Sequence, residues 1–165
     1  MHYMFSSLHE TVVMRLLIAI LMVCAVYGNW VDEMWNPGLF EGDILLNPQQ
    51  REEIKAGRFE FASVKHKLWP NAVIPYEISG ELTWEKKAMK ELDEAIKQYH
   101  TYTCLRFKRR TTEKGYIEFY KGGGCSSPVG YSGRRNGVSL SSGCWWRATI
   151  MHEIGHSLGK YSSLW

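Results

Sequence analysis

TIMHEIGHSLG, Thr149 to Gly159, decides how the rest of the chain is read. From Trp145 to Leu158 there is no Pro and no Gly apart from Gly155, and Trp146, Ile150 and Ile154 fall on one stripe suited to packing, so a helix is expected. His152 and His156 are then four residues apart and about 40° offset around the axis, so both imidazoles lean toward one point, as two ligands of one ion require. Glu153 is rotated about 100° from His152 and should stand beside the ion rather than on it. A Zn2+ ion at that point would acidify its water and polarise a carbonyl, while Glu153 carries a proton to the leaving amine. That is peptide-bond hydrolysis without a covalent intermediate. The alternative is two histidines on an amphipathic helix with no metal role.

Upstream of this helix, GVSLS (Gly137 to Ser141) reads as a short strand, and GGGCSSPVGYSG (Gly122 to Gly133) as a loop or an irregular edge strand, since Pro128 cannot donate to a central ladder. CLRFK (Cys104 to Lys108) and GYIEFY (Gly115 to Tyr120) alternate apolar and polar residues, and joined by the polar segment Arg109 to Lys114 they predict a β-hairpin. Ala88, Leu92, Ala95, Ile96 and Tyr99 recur on one face of a helix that Thr83 can cap. AVIPYEIS (Ala72 to Ser79) has strand composition, with Pro75 favouring an edge position or a bulge. No repeat or low-complexity tract is present. The expected fold class is α+β: a small mixed, twisted sheet with two helices, built from residues 59–165.

The front of the chain has a different character. Arg15 precedes the apolar run Leu16 to Val26, which ends in Ala25-Val26-Tyr27-Gly28, so residues 1–28 read as a secretory signal peptide, with Met14 a more ordinary start than Met1. The run is about 11 residues, short of the roughly 20 that cross a bilayer, which leaves a retained membrane helix as the lesser alternative. The expected location is secreted and extracellular, with no stable membrane association after signal removal. Residues 29–58 are rich in charge and turn formers with little apolar periodicity, and read as a propeptide.

The net charge of +3 is spread rather than blocked and implies no nucleic-acid partner. Lys108-Arg109-Arg110 is either a phosphate-binding patch or the solvated part of the hairpin. Of the 4 cysteines, Cys24 leaves with the signal. Cys104, Cys125 and Cys144 remain, an odd count for an oxidising compartment: a free thiol, an intermolecular bond or a missing partner.

Five ordered stretches together resemble the metzincins, and specifically the astacin family of secreted zinc endopeptidases: FEGDI (Phe40 to Ile44), LWPNAVIPYEIS, TCLRF, GCSSPVG and SGCWWRATIMHEIGHSLG. The resemblance implies a Zn2+ cofactor held by His152 and His156, Glu153 as general base, and peptide or protein substrates. It implies that Asp43 occupies the zinc as a propeptide switch, and that Cys125 and Cys144 form a disulfide. Ser126, Ser127 and Val129 would belong to the edge strand that pairs with substrate backbone, with Pro128 removing one donor. Arg58 lies about eleven residues before Trp69, where the resemblance places the mature boundary, so a trypsin-like activating protease should cut near it.

Gly159 matches the glycine that ends the family's metal helix, but the position of its third histidine is Ser162 and that of the following glutamate is Ser163. From Lys160 the family pattern is not followed. The expectation is an incomplete or impaired endopeptidase, with His66 and His100 as substitute ligands that no motif supports. A noncatalytic protein that binds peptides or a partner protease through its edge strand is the alternative.

Overall fold

The computed structural model describes residues 14, 15, 18, 19, 36–57 and 68–161. Most of the expected signal peptide, and Arg58, His66 and Ser162, lie outside the described residues. The chain divides into two units, Met1–Asp32 and Glu33–Trp165, and the elements below belong to the second. Among the described residues no helix is long and apolar enough to cross a membrane.

Among the described residues six strands form one mixed sheet: β1 (Ile44–Leu45), β2 (Val73–Ile78), β3 (Arg106–Arg109), β4 (Tyr116–Tyr120), β5 (Cys125–Pro128) and β6 (Arg135–Leu140). Their spatial order is β1-β5-β6-β4-β2-β3, parallel throughout except for the antiparallel pair β5 and β6. The helices are α1 (Pro48–Lys55), the single turn α2 (Gly80–Thr83), α3 (Lys86–Tyr102) and α4 (Arg147–Ser157). This is the expected α+β class, with α3 and α4 as its two long helices.

The core forms where the apolar patterns meet. Helix α3 buries Ala88, Leu92, Ala95, Ile96 and Tyr99, the stripe its 3.6-residue period dictates. These pack with Ile74, Ile117, Phe119, Val138 and Leu140 from the sheet and with Ile150 and Ile154 from α4. Tyr99 also ties the two helices by polar contact, its hydroxyl donating to the Met151 carbonyl at 2.8 Å.

Four local expectations fail, each for a physical reason. The hairpin of β3 and β4 does not exist: β2 lies between them, pairing Tyr76 with Arg109 on one side and Ile117 on the other. Alternation marks a half-buried strand but says nothing about its partner, and the more continuously apolar β2 takes the middle place. The connecting residues are held by an ion pair of Lys108 with Glu113 and by Arg110 bonding Glu77 at 2.8 Å, so two charges of the basic run are paired locally, while Arg109 lies over the Tyr76 ring. Thr83 does not cap α3, which starts at Lys86 after Glu85; its hydroxyl closes the turn α2 onto Gly80.

Pro75 is in a strand flanked on both sides, not at an edge. It is tolerated because the β4 register begins only at Tyr76, one residue later. Trp146 is the N-cap of α4 and half-exposed, with the Lys87 ammonium 3.7 Å from its ring, so only Ile150 and Ile154 of the expected stripe reach the core. Residues 36–57, within the segment of little apolar periodicity, carry β1 and α1. The start of α1 has a plain local cause: Asn47 caps it, Pro48 fills the first turn, and Gln50 closes the capping box.

Candidate metal centre

Helix α4 is fixed at both ends. At its entrance the disulfide Cys125–Cys144, with Cα atoms 5.7 Å apart, ties β5 to the turn that precedes the helix. At its exit Gly159 adopts φ 110°, which a side chain disfavours. There the Lys160 N–H donates to the Gly155 carbonyl at 3.0 Å and the Gly159 N–H to the His156 carbonyl at 2.8 Å, the paired bonds of a Schellman ending.

That ending orients the metal-helix chemistry. It delivers the Lys160 carbonyl to Nδ1 of His156 at 2.7 Å. A carbonyl only accepts, so Nδ1 carries the proton and a neutral His156 keeps its lone pair on Nε2. Nε2 of His152 lies 2.9 Å from Nε2 of His156, with the two rings nearly perpendicular at 86°. The pair meets at one point, as their four-residue spacing requires.

The third group arrives from 109 residues upstream. Glu41 and Gly42 take left-handed conformations, φ 51° and 87°, and the Ile44 N–H donates to the Phe40 carbonyl at 2.9 Å, closing a tight turn that aims Asp43 at the histidines. Asp43 Oδ2 is 2.8 Å from His152 Nε2, and Oδ1 is 3.6 Å from His156 Nε2. Burial opposes ionisation of Asp43, but the hydrogen bond of His152 and the closeness of His156 outweigh it and lower its pKa to about 2.

Two nitrogens and a carboxylate oxygen, all within 4.8 Å of one another, are a donor set suited to Zn2+. Oδ1 of Asp43 is buried with no hydrogen-bond partner among the described residues, a lone pair that a cation would satisfy. The residues present therefore fit the ion. Glu153 stands on the same helix, buried, with its Oε2 likewise unpartnered. Burial, followed by the charge of Asp43, raises its pKa to about 9.

The strand expected to be a free edge is covered. Strand β1 runs parallel to β5, with Ile44 opposite Ser127 and Leu45 opposite Pro128, and the Ser127 N–H donates to the Asp43 carbonyl at 2.9 Å. Ser126 and Ser127 are buried in β5, and the Ser127 hydroxyl bonds that of Ser157 on α4 at 2.8 Å. Val129 lies past the end of the strand, and its carbonyl accepts from Nε2 of Gln50 on α1 at 3.2 Å. Gln50 was not anticipated from sequence; only the capping-box spacing marked it.

The other candidates are elsewhere. Nε2 of His100 accepts from the Phe107 N–H at 2.8 Å, so its lone pair serves the turn between α3 and β3. Cys104 is an exposed free thiol. The Trp69 indole donates to the Ser157 carbonyl at 2.8 Å, which pins the start of the sheet domain to the back of α4.

Residues 61–163 match the family model Astacin, a family of peptidases. The chain is 35% identical over 129 residues to zinc metalloproteinase nas-6 of Caenorhabditis elegans, covering 77% of this chain and 37% of that protein. It is 33% identical over 125 residues to astacin-like metalloprotease toxin 2 of Loxosceles intermedia, covering 74% of this chain and 46% of the toxin. It thus spans less than half the length of these relatives. Among solved structures, high choriolytic enzyme 1 of Oryzias latipes, a hatching enzyme zinc-protease, superposes with a TM-score of 0.51 at 34% identity, over 57% of this chain and 48% of that one. The family match spans well over half of the residues, and the chain belongs to the astacin family of peptidases.

Proposed function

We propose that this protein is a secreted, zinc-dependent endopeptidase of the astacin type, made in a latent form in which residues 29–58 are a prosegment and Asp43 its switch. The observation that carries this is the placement of Asp43 against both His152 and His156, while Ile44 and Leu45 lie on the strand that a peptide would pair with. His152 and His156 would hold the ion, with Asp43 as a third ligand. Bound Zn2+ supplies Lewis-acid polarisation of water and of a peptide carbonyl.

The chain's own groups do the rest. Glu153, ionised beside a bound cation, would accept the proton of the attacking water and pass it to the leaving amine. The Lys160 carbonyl holds His156 in the tautomer that offers Nε2. Once the prosegment is gone, Ser127 and Val129 present backbone groups to an extended peptide, and substrate binds with little regard to side chain. An extracellular trypsin-like protease cutting near Arg58 is the activating partner.

Ser162 stands where the family pattern has its third histidine, so with the prosegment removed two imidazoles fix one side of the ion. The chain as written is then a weak zinc binder and a poor catalyst. Casein cleavage by the zinc-loaded chain, cut after Arg58, tests the reading. Cleavage that Glu153→Ala abolishes and Ser162→His increases supports it. No cleavage by any form, with extended peptides still bound, supports a noncatalytic binder instead.

A further inference from the structure

Gln50 is the buried polar residue of α1, and the site as described gives it no part. Its Oε1 accepts from the Asn47 N–H at 2.9 Å, and its Nε2 donates to the Val129 carbonyl at 3.2 Å. The two contacts fix the orientation of the amide, since one end can only accept and the other only donate.

The strand geometry says what the second contact replaces. Backbone groups of alternate residues face the same side of a strand, so Ser127 and Val129 present theirs toward β1. Ser127 is served by the Asp43 carbonyl, and the backbone groups of Pro128 face the opposite side of the strand. Beyond Leu45 the chain leaves the ladder and coils into α1, which would strand the Val129 carbonyl. Val129 is buried, and a buried carbonyl without a donor is costly. The side chain of Gln50 reaches back from the first turn of α1 and supplies the missing donor.

We propose that Gln50 is a positioning residue of the prosegment: its side-chain amide takes the place of the backbone N–H that an extended peptide would offer to Val129. The prosegment thus occupies the peptide-binding edge with a strand and then with a helix, and latency has two anchors, Asp43 at the histidines and Gln50 at Val129. This rests on residues 29–58 being a removable prosegment.

Two substitutions separate the contact from helix capping. Gln50→Glu keeps an oxygen for the Asn47 N–H, as a capping box allows, but sets an acceptor against the Val129 carbonyl. Gln50→Met removes both contacts. In the uncleaved chain, exchange of the Ser127 amide, whose N–H donates to Asp43, reports undocking. Both variants are expected to speed it about tenfold, with the amides of β4 unchanged, and to speed release of the 29–58 fragment after cleavage at Arg58. Ser127 exchange in Gln50→Glu equal to that of the unsubstituted chain would overturn the proposal, whatever Gln50→Met does, because capping alone would then account for Gln50. A fragment that never leaves the cleaved unsubstituted chain would overturn the prosegment reading, while the exchange measurement still decides the contact.

Discussion

His156 depends on a backbone carbonyl four residues away, and that carbonyl depends on a glycine. Gly159→Ala places a side chain at φ 110°, so the Schellman ending strains and the Lys160 carbonyl shifts from Nδ1. The expected result is a loss of about 1 kcal/mol or more of stability in urea unfolding and of about tenfold in zinc affinity by chelator competition. Glu153 gives a second test, in the metal-stripped chain. Its folded pKa is raised from 4.5 to about 9, so across that window the folded state holds a proton that the unfolded state has lost. Stability must therefore fall as pH rises from about 5 to 9. Urea midpoints at the two ends measure the slope, and Glu153→Gln should flatten it. His152, Glu153 and His156 were legible because helical spacing alone fixes their mutual directions. Asp43 was legible only through FEGDI, since no local periodicity links it to a helix so distant in sequence. Gln50 was illegible as an anchor, because a side-chain bond to a remote carbonyl leaves no pattern.

At the scale of elements, the disulfide joins β5 to the entrance of α4 across a separation of 19 residues. Removing it with the double substitution Cys125→Ser and Cys144→Ser should cost on the order of 3 kcal/mol in urea unfolding, by the loss of a loop constraint on the unfolded chain. Thiol labelling of the intact protein should reach Cys104 and neither of the other two. Helix α4 itself is held by Ile150 and Ile154, both fully buried, so Ile154→Ala should cost about 2–5 kcal/mol and lower zinc affinity with it. The helices and strand compositions were readable from period and residue type. The pairing of β3 and β4 was not, since strand neighbours are chosen by which strand can be buried on both faces. Strand β1 was not legible for a related reason: it is two residues long and pairs only with the edge that β5 offers.

At the scale of the whole molecule, activation by prosegment removal, as proposed, would oppose metal binding. On the proposed reading Asp43 completes a set of three donors in the uncleaved chain, and cleavage after Arg58 would leave two imidazoles, with Ser162 no substitute. N-terminal sequencing of secreted material should find a start near Phe59, just after Arg58. The decisive measurement is the zinc content of the purified uncleaved chain, set against its Asp43→Ala variant. Close to one zinc per uncleaved chain should remain after dialysis, and be lost in Asp43→Ala and in His152→Ala alike. Stoichiometric zinc retained by Asp43→Ala, with the prosegment still docked, would contradict the proposed role of Asp43.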